Sequence, residues 1–215
     1  MSDAHDSGHG HEEMGFFRKY LWSTNHKTIG KQFLVTSLVF LFVAGFLALS
    51  LRWQLAYPDK PVPVVGKYVF ASAAEREAAE KAGPDSPKAK ILGSVKPEQF
   101  VGLTSVHGLL MIFFVIIPIL VGAFGNFLIP LHVGTHDMAF PVLNAASYWV
   151  FWLACVIALT GLLIPDPVSG VFNPAAAGWT MYAPLSAVPS SSPGNSTGLT
   201  MVLTAAILVG FSTIM

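Results

Sequence analysis

Residues 103–131 read LTSVHGLLMIFFVIIPILVGAFGNFLIPL, an apolar run broken near its start by one imidazole, His107, with Gly108 directly behind it. The run exceeds the roughly 20 residues that an α-helix needs to cross about 30 Å of hydrocarbon. In lipid the backbone polar groups find no water, so a segment of this kind has to be helical. Composition points the same way. Hydrophobic residues make up 53% of the 215-residue chain, charged residues 11%, and mean hydropathy is +0.59, whereas soluble domains carry about 25% charged residues. The chain reads as an integral membrane protein. Twelve basic and twelve acidic residues cancel, which argues against a nucleic-acid surface. The single cysteine, Cys155, lies in an apolar run and reads as packing, with no internal disulfide to make.

Outward from this run, the spacing of charges marks four spans, at about 31–52, 101–130, 144–165 and 198–215. Aromatic residues gather near their ends, among them Trp22, Trp53, Tyr57 and Trp149, as a membrane interface favours. The first 20 residues form a polar head whose His5, His9 and His11 read as a solvated tail rather than a metal site. Between the first two spans lies a hydrophilic connection at about 58–98. Within it ASAAEREAAEKAG, residues 71–83, predicts a short surface helix closed by glycine. The last loop carries NST at Asn195, a glycosylation pattern for which chance composition is the stronger reading in so short a loop. Basic residues flank the first span on both sides, so their count alone does not orient the chain.

A histidine inside a span either hydrogen-bonds a neighbouring helix or holds a cofactor. Neutral imidazole is a good axial ligand for haem iron, and Gly108 would let a flat macrocycle approach closely. Asn126 lies nineteen residues further on, about 28 Å along a helix, near the opposite membrane face. Asp137 follows in a short turn, with Asn144 at the next helix start. An aspartate beside amide side chains can collect a proton and pass it to ordered water. The alternatives are a solvated turn for Asp137 and an N-cap for Asn144.

Four blocks in order carry a family resemblance: STNHKTIG at 23–30, HGLLMIFFVIIPILVGAFGNFLIPL at 107–131, DMAFPVLNAASYW at 137–149 and GWTMYAPLS at 178–186. Together they resemble subunit I of the haem-copper oxygen reductases, the cytochrome c oxidases. The resemblance implies an all-α integral membrane fold, with residues 21–215 supplying helices I to IV of a twelve-helix bundle. It implies a redox-driven proton pump that passes electrons from cytochrome c to dioxygen, making water. His107 is similar to the second-helix ligand of the low-spin haem, haem a. Arg52 resembles the arginine that meets that haem's formyl oxygen, and Trp179 and Tyr182 the pair near its propionates. Asp137, Asn126 and Asn144 resemble the entrance of the D proton pathway.

The resemblance further implies a high-spin haem and a copper centre whose ligands belong to later helices. Partners would be the remainder of subunit I, subunits II and III, cytochrome c and the lipid bilayer, with no nucleic acid. The location would be a bacterial cytoplasmic or mitochondrial inner membrane, the amino terminus on the cytoplasmic or matrix side. The chain is then expected to be a fragment or one piece of a split subunit. Three residues depart from the family pattern: Gln54 stands for a glutamate that holds a cation, Phe33 for a tyrosine near the proton entrance, and Val142 for an arginine. A quinol oxidase and a non-catalytic membrane scaffold are the competing readings.

Overall fold

The computed structural model describes residues 20–166, 170–188 and 195–215. The polar head with its three histidines lies outside them. Among the described residues the chain is helical, without a strand, and four helices are long and apolar enough to cross a membrane. This is an all-α membrane fold. The crossing helices are α1 (His26–Ala56), α5 (Pro97–Val133), α6 (Pro141–Leu163) and α7 (Ser196–Ile214). Between α1 and α5 the hydrophilic connection folds into α2 (Gly66–Val69), α3 (Ala73–Ala82) and α4 (Pro87–Ile91).

Each span outruns the apolar stretch that marks it, or starts earlier, because local capping rather than hydropathy ends a helix. At α1 the Asn25 side chain accepts from the Lys27 N–H at 2.9 Å, satisfying a donor that the first turn leaves free. Its 31 residues extend about 46 Å, well beyond the hydrocarbon thickness. In α6, Pro141 occupies the first turn, where a missing N–H costs nothing. The N-cap role considered for Asn144 therefore falls to no side chain, and Asn144 lies inside the helix.

Helix α5 is not a uniform α-helix. Its middle, Leu110–Ile116 and Pro118–Gly125, widens into π-type turns. Pro118 supplies a cause: proline lacks an N–H and its ring collides with the carbonyl four residues back, so the turn opens to accommodate it.

Lipid tails are as apolar as leucine, so the spans associate by close packing rather than by escape from water. A file of rings threads the centre: Phe33 lies 5.3 Å from Tyr148 edge-on and 5.2 Å from Phe151, and Phe40 stacks on Phe114 at 5.2 Å. It ties α1, α5 and α6 together. The α6–α7 contact instead uses backbone approach. A Cβ added at Gly161 would come within 2.7 Å of Met201 Cβ, and one at Gly198 within 2.7 Å of the Gly161 carbonyl.

The surface helix expected at 71–83 is α3, opened by a reciprocal cap. The Ser72 N–H donates to Glu75 Oε2 at 2.9 Å, and the Glu75 N–H donates to Ser72 Oγ at 3.1 Å, a motif that stabilises by about 1 kcal/mol. Lys96 Nζ donates to Glu75 Oε1 at 2.6 Å. Burial alone would raise the Glu75 pKa, but the Lys96 ammonium and Ser72 outweigh it and hold the carboxyl below its ordinary value. The buried Gln99 amide donates to the carbonyls of Phe172 at 2.8 Å and Phe70 at 3.4 Å. Both long loops are thereby clasped to the start of α5. Asn195, candidate for a glycan, is 1% exposed. Its Oδ1 accepts from the Gly198 N–H at 3.0 Å and its Nδ2 donates to the Ile164 carbonyl at 2.9 Å, so the amide caps α7 and the glycosylation reading is set aside.

Candidate functional site

His107 projects from α5 toward α1. Its Nδ1 lies 3.0 Å from the Ala44 carbonyl oxygen. A carbonyl only accepts, so Nδ1 carries the proton, and in the neutral ring the lone pair sits on Nε2. A hydrogen bond of this kind fixes the orientation of a metal-binding imidazole. On α1, Gly45, Ala48 and Arg52 fall three and seven residues apart and share a face. A Cβ at Gly45 would meet nothing within 4 Å, so no part of the described structure packs on that position. The donor chemistry of His107 fits a haem, whose iron the imidazole would hold. Chemically, a haem bound there would supply one-electron transfer.

Gly108 has a different neighbour from the one its place in the sequence suggests. A Cβ there would lie 3.3 Å from Trp179 Cβ, so the glycine admits the loop tryptophan. The Gly178 N–H donates to Ser105 Oγ at 3.1 Å, pinning that loop two residues from His107. The structure thus brings Trp179 beside the His107 turn. Arg52 and Tyr182 are exposed, Tyr182 by 76%, and no hydrogen bond or ion pair among the described residues joins either to His107. Gln54 accepts from the Val95 N–H at 3.3 Å, so its amide anchors the first loop.

The second cluster gathers at the other end of α5. Asp137 is not a freely solvated turn residue: its Oδ1 accepts from the His26 backbone N–H at 3.3 Å, from His26 Nδ1 at 3.0 Å and from the Met138 N–H at 2.8 Å. His26 is 3% exposed, and the Asp137 side chain is 35% exposed. The carboxylate is held at the surface by a buried imidazole. Asn144 Nδ2 donates to Asn126 Oδ1 at 2.6 Å, and Asn126 Nδ2 donates to the Gly122 carbonyl at 2.6 Å. Both amides are buried. The polar file continues through Ser147 Oγ, which donates to the Asn144 carbonyl at 2.7 Å, and Ser212 Oγ, which donates to the Ser147 carbonyl at 2.8 Å.

A cavity of about 220 Å³ runs along this file, lined by Phe33, Asn126, Asn144, Ser147 and Ser212 among others. Its lining is largely apolar, with the polar groups gathered along one side. Phe33 presents a ring to it where a tyrosine would present a hydroxyl. Val142, where the family pattern expects an arginine, is 75% exposed. His26, Ser147 and Ser212 were not singled out in the sequence. Ser147 was findable, three residues beyond Asn144 on the same helix face. His26 and Ser212 had no local signal, since only tertiary contact brings them in.

Residues 28–215 match the family model described as cytochrome c and quinol oxidase polypeptide I. The chain belongs to that family. It is 33% identical over 205 residues to cytochrome c oxidase subunit 1 of Cereibacter sphaeroides, covering 93% of this chain and 33% of that protein. It is 31% identical to cytochrome c oxidase subunit 1 of Thermostichus vulcanus, covering 91% of this chain and 27% of the relative. Against the haem-copper oxidase subunit I+III of Aeropyrum pernix identity is 32%, over 79% of this chain and 16% of the relative. The oxidase polypeptide I chain thus spans about a third or less of the length of these relatives. The family implies haem and copper cofactors and an integral membrane protein that works within a complex.

Proposed function

We propose that this chain supplies the amino-terminal membrane helices of the catalytic subunit of a proton-pumping terminal oxidase, which passes electrons from cytochrome c to dioxygen. The observation that carries the reading is the His107 Nδ1 contact with the Ala44 carbonyl, which leaves Nε2 free for a low-spin haem iron. Haem a is the form proposed, with Arg52, Trp179 and Tyr182 serving its periphery. The second axial ligand, the high-spin haem and the copper centre would be held by further parts of subunit I, with subunits II and III as partners. The names of the relatives, cytochrome c oxidases, favour cytochrome c over a quinol as donor.

Asp137 takes up protons in this reading, on the cytoplasmic or matrix side where the amino terminus would also lie. His26 orients its carboxylate. Asn126 and Asn144, locked together, narrow the path and present amide groups to water, and Ser147 and Ser212 extend the polar lining. The apolar rings of Phe33 and Phe151 bound the passage.

The test uses the complete oxidase carrying this chain. His107→Ala is expected to abolish the low-spin haem absorbance band, whereas Asp137→Asn leaves both haem bands in place and slows proton uptake. An unaltered reduced spectrum in the first variant would sink the haem assignment. Unaltered uptake and pumping in the second would remove the proton role.

A further inference from the structure

One hydroxyl inside the bundle differs from its neighbours. Ser50 donates to the Phe46 carbonyl at 3.0 Å, Ser105 to Val101 at 2.9 Å and Thr160 to Val156 at 2.7 Å, each bonded to the turn before it. Ser37 of α1 does not follow them. It is 0% exposed, and its Oγ has no hydrogen-bond partner among the described residues. An unpaired hydroxyl in an apolar interior is costly. Because the helices already present close it off completely, no further helix of the subunit can reach it as a partner.

The packing of α1 on α5 shows what Ser37 faces. A Cβ added at Gly122 would meet the Phe33 ring at 2.5 Å, and further back along α5 Phe114 stacks on Phe40. The two helices therefore run antiparallel. Ser37 lies between Phe33 and Phe40 on the same buried face of α1, which sets it level with Pro118, midway between Gly122 and Phe114.

At that level the α5 backbone has an acceptor to spare. The Ile117 N–H donates to the Ile112 carbonyl, five residues back. In that register Phe113 would take its donor from position 118, where proline has none. The Phe113 carbonyl points along the helix toward Pro118. Ile117 and Pro118 also line the inner end of the cavity that begins at Asn126, Met138 and Asn144. Phe33 lines it too, and offers no hydroxyl where the family pattern has a tyrosine. Ser37 carries one a single turn deeper.

We propose that Ser37 takes the place of that missing hydroxyl: with the Phe113 carbonyl it holds one buried water at the inner end of the cavity, and this water orients the end of the proton file. A bridging water satisfies both polar groups nearly as well as a direct bond would. Ser37 is thus a positioning residue that acts through the water, and its role rests on the proton reading of Asp137.

The experiment uses the complete oxidase carrying this chain. High-resolution electron cryomicroscopy should show one water within hydrogen-bond distance of Ser37 Oγ, and Ser37→Ala should lose it. In that variant proton uptake should slow about fivefold, the rate equivalent of about 1 kcal/mol, with the haem bands unchanged. Adding Phe33→Tyr to Ser37→Ala should restore uptake by returning a hydroxyl to the cavity, a rescue that a serine serving only packing would not show. A Ser37 hydroxyl bonded to the Phe33 carbonyl, with no water beside it, would overturn the site. Slowing that Phe33→Tyr leaves unrestored would overturn the exchange of hydroxyls. Unchanged uptake in Ser37→Ala, while Asp137→Asn slows it, would overturn the role of Ser37 and leave the proton reading standing. Unchanged uptake in both variants would remove the proton reading, and the role of Ser37 with it.

Discussion

The Asn126–Asn144 bond is the polar link between α5 and α6 on which the proton reading depends. Asn144 is 9% exposed and Asn126 4%, and the amide of one meets the carbonyl oxygen of the other at 2.6 Å. Asn144→Ala removes the donor and leaves Asn126 Oδ1 buried without a partner. Such an orphan costs about 1–3 kcal/mol in a protein interior, and polar contacts between membrane helices have measured worth of about 0.6 kcal/mol, up to about 1.7. We expect a loss of about 1–2 kcal/mol for Asn144→Ala and a similar loss for Asn126→Ala. The double variant Asn126→Leu/Asn144→Leu, which removes both polar groups and keeps bulk, should lose less than the sum of the two. The assay compares thermal or denaturant unfolding of the detergent-solubilised complex across these variants, with proton uptake measured in parallel. In the double-leucine variant, stability should be largely retained while uptake falls, because the cavity of about 220 Å³ loses two of its polar groups. Additive single effects, or unchanged uptake in that variant, would refute the reasoning.

Three further outcomes follow from the geometry. Gly161→Ala places a Cβ 2.7 Å from Met201 Cβ and 3.1 Å from the Gly198 carbonyl, so α6 and α7 must separate; a loss of about 1–3 kcal/mol is expected, read as a lowered unfolding midpoint. His26→Ala removes the 3.0 Å contact to Asp137, and should slow proton uptake while leaving the haem spectrum unchanged. The Glu75 carboxyl is depressed below its ordinary value of 4.5 in the folded state. Its contribution is therefore present above that value and disappears as pH falls through the folded pKa. Hydrogen exchange of the α3 amides should quicken on acidification across that window, and Lys96→Met should weaken the pH dependence.

Much of the spanning architecture is legible in the sequence because lipid imposes one rule on every residue of a crossing segment: satisfy the backbone internally and keep charge out. That rule sets the four spans, but it is silent on where each helix stops, which capping decides. The first span reads as 31–52 and runs His26–Ala56. The helix through His107 reads as uniform, yet it opens into π turns around Pro118. The hydrophilic connection shows one of its three short helices, since α2 and α4 are too short to carry a pattern.

The candidate site divides in the same way. Residue type makes His107 a candidate, because an imidazole in a span is costly, but leaves Asp137 open to a solvated turn; the family resemblance is what points to both. Their partners are commonplace in sequence. The Ala44 backbone, 63 residues from His107, selects the imidazole tautomer, and His26, 111 residues from Asp137, holds the carboxylate. Gly108 illustrates the limit most directly: its missing side chain signals close approach, and only the packed structure shows Trp179 to be what approaches. Solvent preference is a property of each residue and can be read along the chain. Hydrogen-bond partnership is a property of pairs, and only tertiary structure decides which pairs meet.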